Sequence, residues 1–252
     1  MVRNRRSEES VEAERKVPGT VRGTYAVGDE RRLRILDVAV EHFAQWGFHA
    51  SSLARIAKDV GITQGGLLHH FRSKEDLLVS VLRRSEEHDV ERFFAVEAHS
   101  AAEFFVALVG LADYNSRRPG RTKMFNVLLA EAGDPGHPAH AFFVKRYADL
   151  VEVSADALRE AVASGELKPD TDCEALAEEF AAVMDGIQLQ WALDPTGVDM
   201  AARMRAYLDR LLRSITVSGT GLPSDAHTGL PSDAHTGLTR TRARTDSDAR
   251  TD

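Results

Sequence analysis

The chain has 252 residues, 43% hydrophobic and 28% charged, an ordinary composition for a soluble folded protein with a sizeable core. No apolar run approaches the ~20 residues that cross a bilayer, and one cysteine, Cys173, excludes an internal disulfide or a cysteine-built zinc site. The net charge is −7, but residues 1–80 hold 13 Lys/Arg against 11 Asp/Glu, so the acid lies in the remainder. That balance argues against polyanion binding by the whole surface and leaves room for a locally positive N-terminal module. The basic N-terminus has no apolar segment behind it, so it does not read as a secretory signal, and a cytoplasmic protein is expected.

Residues 1–28 lack periodicity and are expected to form a flexible arm. From there the period is helical. "ERRLRILDVAVEHFAQWGF" places Leu33, Leu36, Val40 and Phe43 on one face and stops at Gly47. "SSLARIAKDVG" groups Leu53, Ile56, Ala57 and Val60 behind an N-cap at Ser51 or Ser52. Ser73 and Asp76 form a capping box that opens a helix through about Glu97, and Ser100 with Glu103 forms another. Helices follow at about 121–132 and 138–164, then one opened by a third box, Thr171 with Glu174, and a last one at about 198–216. "TGLPSDAH" at 220–227 recurs at 228–235, and "TGL" begins again at 236; such polar octads are expected to be a disordered tail. The chain is expected to be all-α.

"GITQGGLLHHFRSKEDLL", residues 61–78, concentrates the chemistry. Gly61 suits a left-handed helix end, Thr63 an N-cap, and Ile62 with Leu67 the spacing of a hydrophobic staple. A short helix, a tight turn and a second short helix read as helix-turn-helix. The face opposite Leu67 and Phe71 carries Gly65 and His69, with Gly66 and His70 on a flank. Small residues there admit a duplex, the histidines can donate to phosphate oxygens, and Thr63 and Gln64 at the helix start can reach base edges. Lys74 adds charge beside the same strand.

The ungapped run "RILDVAVEHFAQWGFHASSLARIAKDVGITQGGLLHHFRSKEDLL" resembles the DNA-binding domain of TetR-family transcriptional regulators over about residues 31–78. The resemblance implies an N-terminal three-helix DNA-binding domain at 29–78, a helical effector-binding and dimerisation domain at 79–217, and tails at 1–28 and 218–252. It puts Ser52, Thr63, Gln64, Gly65, Leu68, His69, His70 and Lys74 on positions that commonly meet DNA. Leu68 replaces the family's frequent tyrosine, which exchanges a phosphate donor for a group suited to a thymine methyl. Gln64 replaces a frequent lysine, and glutamine can read adenine bidentately.

A homodimer is implied through helices at about 171–193 and 198–216, offering Leu176, Phe180, Val183, Ile187, Met204, Leu208 and Leu211, with operator DNA and a small-molecule effector as partners. Large residues suited to a pocket are Phe105, Met124, Phe125, Phe143, Tyr147, Met184, Gln188 and Trp191. No cofactor or metal is expected: His69 and His70 diverge by ~100°, and "HPAH" at 137–140 has no obvious third ligand. Cys173 reads as a small buried thiol or, with a lowered pKa, as a redox sensor. The favoured function is a ligand-responsive repressor. The alternatives are a helical carrier or scaffold without DNA binding and, with no phosphate loop, nucleophile elbow or "HExxH", an enzyme.

Overall fold

The computed structural model describes residues 21–94 and 98–224. Among these it is all-helical apart from one isolated bridge between Leu167 and Thr216. In chain order the elements are α1 (Val21–Ala50), α2 (Leu53–Val60), α3 (Gln64–His70), α4 (Lys74–Asp89), a π-helical turn (Val90–Phe94), α5 (Ala101–Ser116), α6 (Pro119–Glu131), α7 (His140–Ala163), α8 (Cys173–Leu193) and α9 (Met200–Ile215).

Helix α1 begins at Val21, inside the stretch expected to be an arm; residues 1–20 lie outside the described residues. Its core stripe is Ile35, Leu36, Ala39 and Phe43, and Leu33, expected on that stripe, is 44% exposed. The stripe therefore lies one step round the helix from the spacing first read. At Gly47 (φ 67, ψ −172) the helix bends through a conformation essentially reserved for glycine. A Cβ there would also collide with the Glu131 carboxylate.

The chain divides into two compact units. The first holds the described residues to Ser85 together with Lys123–Phe143, a return of the chain that no local pattern announces. Its buried side chains come from α1, from Ile56, Ala57 and Val60 of α2, from Leu67 and Phe71 around α3, from Leu77, Leu78, Val81 and Leu82 of α4, and from Met124, Leu128 and Phe143 of the returning segment.

The second unit holds Glu86–Thr122 and the described residues from Val144 onward. Phe180 of α8 packs edge-on, 6.1 and 6.0 Å from Phe104 and Phe105 of α5, and the cluster includes Leu158, Met204, Leu208 and Leu212. The cap of α8 is Asp172, which accepts from the Ala175 amide at 3.1 Å; Thr171 donates to the Lys168 carbonyl instead, so the expected box is displaced by one residue.

The tail also departs from expectation. Leu222 of the first octad is buried in this core, and its amide donates to Asp209 Oδ1 at 2.8 Å. Thr216 Oγ1 donates to the Thr220 carbonyl at 2.9 Å. An apolar side chain and satisfied backbone groups dock the start of the first repeat on α9, and the remaining octads lie outside the described residues.

Gly47→Ala should destabilise the protein by about 2 kcal/mol or more, because the added Cβ meets both backbone strain and the Glu131 carboxylate. Urea unfolding reads this directly; an unchanged midpoint and slope would contradict the assignment.

Candidate nucleic-acid interface and effector cavity

Helix α2 ends at Gly61 in a left-handed conformation (φ 82), with the Gly61 amide donating to Lys58 and the Ile62 amide to Ala57. Thr63 then caps α3, its hydroxyl accepting from the Gly66 amide at 3.0 Å. Leu67 and Phe71 are buried while Gln64, Gly65, Leu68 and His69 are exposed, so α3 turns one side inward and offers the other. Leu68 is 40% exposed although nothing polar compels it, which suits a contact surface better than a core. Nothing closer than 3.9 Å would meet a Cβ on Gly65, so the free protein gives no packing reason for glycine there.

His69 and His70 stand with ring centroids 5.7 Å apart. Burial first, then His69, Arg31 and Arg32, push the His70 pKa below the ordinary histidine value. Arg32 lies over the Phe71 ring at 4.9 Å. Ser52 has the extended backbone of an N-cap but makes no capping hydrogen bond with its side chain.

Lys74, expected beside the DNA strand, has partners within the protein. Its ammonium donates to the carbonyls of Phe48, His49 and Ser51 at 2.9, 3.1 and 3.1 Å and lies 4.4 Å from the Phe48 ring centre. An ammonium has three protons, so a phosphate contact would have to displace one of these bonds. Its cation sits where the last carbonyls of α1 carry partial negative charge. From the other side, Glu131 accepts from the Phe48 amide at 2.8 Å, and the His137 ring packs edge-on against Phe48. Ser51 donates to the Gly47 carbonyl at 2.5 Å. Ser51 was expected only as a possible cap of α2, and Glu131 was not expected here at all; the sequence signal for either role is a glycine directly before Phe48.

The eight residues expected to line a pocket are divided. Met124, Phe125 and Phe143 belong to the first unit, where the Phe125 and Phe143 rings meet at 6.0 Å. Phe105 and Trp191 are core residues of the second unit. Tyr147 donates to Asp185, and burial followed by that bond raises its pKa. Gln188 accepts from Asn115 at 3.2 Å, and Met184 packs partly buried against the core. None of the eight lines the cavity of about 600 Å³ that opens in the second unit. That cavity is walled by Phe94 and Phe104 with the end of α4, the π-helical turn and the middle of α7. The sequence reading missed it because the π turn shifts the phase of the helix and because acids along a helix usually face solvent.

Cys173 is buried, and burial first, then Glu174, raises its thiol pKa, the opposite of what a redox sensor needs. His140 Nδ1 pairs with the Ala132 carbonyl at 2.9 Å, and His137 Nε2 lies 3.4 Å from Glu131. Among the described residues no helix is long and apolar enough to cross a membrane.

A capped recognition helix with a polar outer face, followed by a helical unit with a cavity, defines a helix-turn-helix regulator. The family description "Bacterial regulatory proteins, tetR family" matches residues 35–81, and "BetI-type transcriptional repressor, C-terminal" matches residues 129–216. The HTH-type transcriptional regulator UidR of Escherichia coli (strain K12) is 29% identical over 140 residues, covering 55% of this chain and 70% of its own. The fatty acid metabolism regulator protein of Bacillus subtilis (strain 168) is 24% identical over 184 residues, covering 73% and 94%. A transcriptional regulator from Saccharomonospora viridis, solved in complex with choline, shares the fold with a TM-score of 0.61 at 24% identity, covering 75% of this chain and 98% of that one. The chain belongs to the TetR family of transcriptional regulators.

Lys74→Met should lower stability by about 1–3 kcal/mol through loss of charged hydrogen bonds to three carbonyls. Chemical denaturation measures it; full stability with a flattened salt dependence of DNA binding would restore the phosphate role.

Proposed function

We propose that the protein is a repressor that occupies operator DNA as a homodimer and is released by a small-molecule effector. The observation that carries the reading is the outer side of α3, where Gln64, Gly65, Leu68 and His69 are exposed together next to a helix start held by Thr63. In that reading Thr63 and Gln64 meet base edges, Leu68 a thymine methyl, and Ser52, His69 and His70 phosphate oxygens. Gly65 lets the duplex backbone approach. Lys74 supports the bend of α1 rather than the phosphates. Domain roles divide near residue 78, with the DNA-binding part before it and the effector and dimer functions after it.

The dimer would form through α8 and α9. Phe180, Met204 and Leu208 are taken up by the chain's own core, leaving Leu176, Val183, Ile187 and Leu211, half-buried, with Leu189 and the 80%-exposed Leu193 to face a second copy. Repression is supported by the repressor description matched at 129–216, and a small-molecule effector by the choline bound in the Saccharomonospora viridis structure. By linkage, an effector that weakens operator binding is itself bound more weakly in the presence of operator, by the same factor.

Footprinting on DNA flanking the protein's own gene tests the proposal. It should show two protected half-sites spaced by about one helical turn, roughly 34–36 Å. No protection at low salt by folded protein would remove the reading. Gln64→Ala should relax preference at one base pair per half-site, with a loss of about 1–3 kcal/mol of discrimination; unchanged preference would sink that role. His70 is held largely neutral at pH 7, and a phosphate partner raises its pKa, so binding takes up a proton. Operator affinity should therefore rise as pH falls from about 7.5 to 5.5, and His70→Gln should flatten the profile measured by fluorescence anisotropy.

A further inference from the structure

The cavity of about 600 Å³ in the second unit has a chemistry of its own. Its apolar wall is Phe94, Phe104, Leu111, Leu150 and Val153. Around that wall stand five carboxylates, Glu86, Glu87, Asp89, Glu91 and Asp149, and one lining cation, Arg146. Three of the acids are matched within the protein: Glu86 by Arg146 at 3.1 Å, Asp149 by Lys145 at 2.7 Å, and one oxygen of Asp89 by Arg121. Glu87 and Glu91, one turn apart, have no ion-pair partner among the described residues. The lining is left with an excess of negative charge.

Two further atoms point to a ligand. Asp89 is 5% exposed and Ser154 0% exposed, and among the described residues Asp89 Oδ1 accepts no hydrogen bond and Ser154 Oγ has no partner. Both residues line the cavity. A buried carboxylate oxygen without a donor costs free energy, and so does a buried hydroxyl in the same state. A polar group brought in beside these residues supplies each with the partner it lacks. The π-helical turn contributes Val90, Glu91 and Phe94 to the lining, and such turns occur often at functional sites.

We propose that this cavity binds an amphipathic organic cation, a protonated amine on an apolar body. Its N–H groups donate to Asp89 Oδ1 and the Ser154 hydroxyl, its charge is balanced by Glu87 and Glu91, and its body lies against Phe94 and Phe104. The proposal rests on the reading of the protein as an effector-controlled regulator and names the effector's chemical class. A carboxylate of the same shape would be repelled by the excess acid, and a neutral alcohol would fill the space without the charge.

Isothermal titration of the full chain with 4-phenylbutylamine, 4-phenylbutanol and 4-phenylbutyrate tests it. The amine should bind about tenfold or more tighter than the alcohol, as a charged hydrogen bond predicts, and the carboxylate should bind weakest. Glu87→Gln/Glu91→Gln, at exposed positions, should weaken the amine several-fold and leave the alcohol unchanged. Ser154→Ala should weaken the amine without lowering the melting temperature, since it removes an unsatisfied hydroxyl. Equal binding of amine and alcohol, tighter binding of the carboxylate, or no binding of any probe overturns the proposal. Operator binding is measured on the same preparation: if it is intact while the amine is not preferred, the regulator reading stands and the cation site falls.

Discussion

At Gly47 helix α1 must bend, and the backbone groups that the bend exposes have to be met. The Phe48 amide goes to Glu131, the carbonyls of Phe48, His49 and Ser51 go to Lys74, and the Gly47 carbonyl goes to Ser51. Two oppositely charged side chains, from the end of α6 and the start of α4, thereby hold the same few residues. The consequence is geometric: α2 starts three residues beyond Ala50, and the capped turn at Gly61 and Thr63 delivers α3 in a fixed orientation on that base. An unmet carbonyl in this half-buried place would cost about 1–3 kcal/mol, and the three hydrogen bonds from Lys74 remove that cost.

The charge distribution follows a similar division of labour. The excess of acid over base lies in the part of the chain after residue 80, and five of its carboxylates line a cavity. Asp89 shows the principle most clearly: it is a buried lining residue with one oxygen neutralised by Arg121 and the other without a hydrogen-bond partner among the described residues. Basic groups instead accompany the helix-turn-helix, where burial first, then His69, Arg31 and Arg32, lower the His70 pKa.

Local pattern made much of this visible. Gly61, the Thr63 cap and the Ile62–Leu67 spacing identify the turn from the sequence because each acts within a few residues of itself. The Ser73 hydroxyl capping the Asp76 amide was legible for the same reason. What escaped depends on contacts far apart in the chain. Glu131 meets Phe48 across 83 residues, and Leu222 joins a core built mainly from α5, α7, α8 and α9. Phe105 and Trp191, expected as large pocket residues, pack in the core of the second unit, and bulk in a sequence does not distinguish a wall from an interior. The cavity's polar atoms were hidden because a buried aspartate and a buried serine on helices look, in sequence, like solvated ones.

The central claim is that α3 presents a sequence-reading surface on the scaffold fixed at Gly47. Competition between the footprinted duplex and a scrambled duplex of equal length, across a salt series, tests it most directly. The account predicts that both affinities fall linearly with log salt while the footprinted site stays about 10³-fold or more preferred. Equal affinity for the two duplexes at every salt concentration would contradict it.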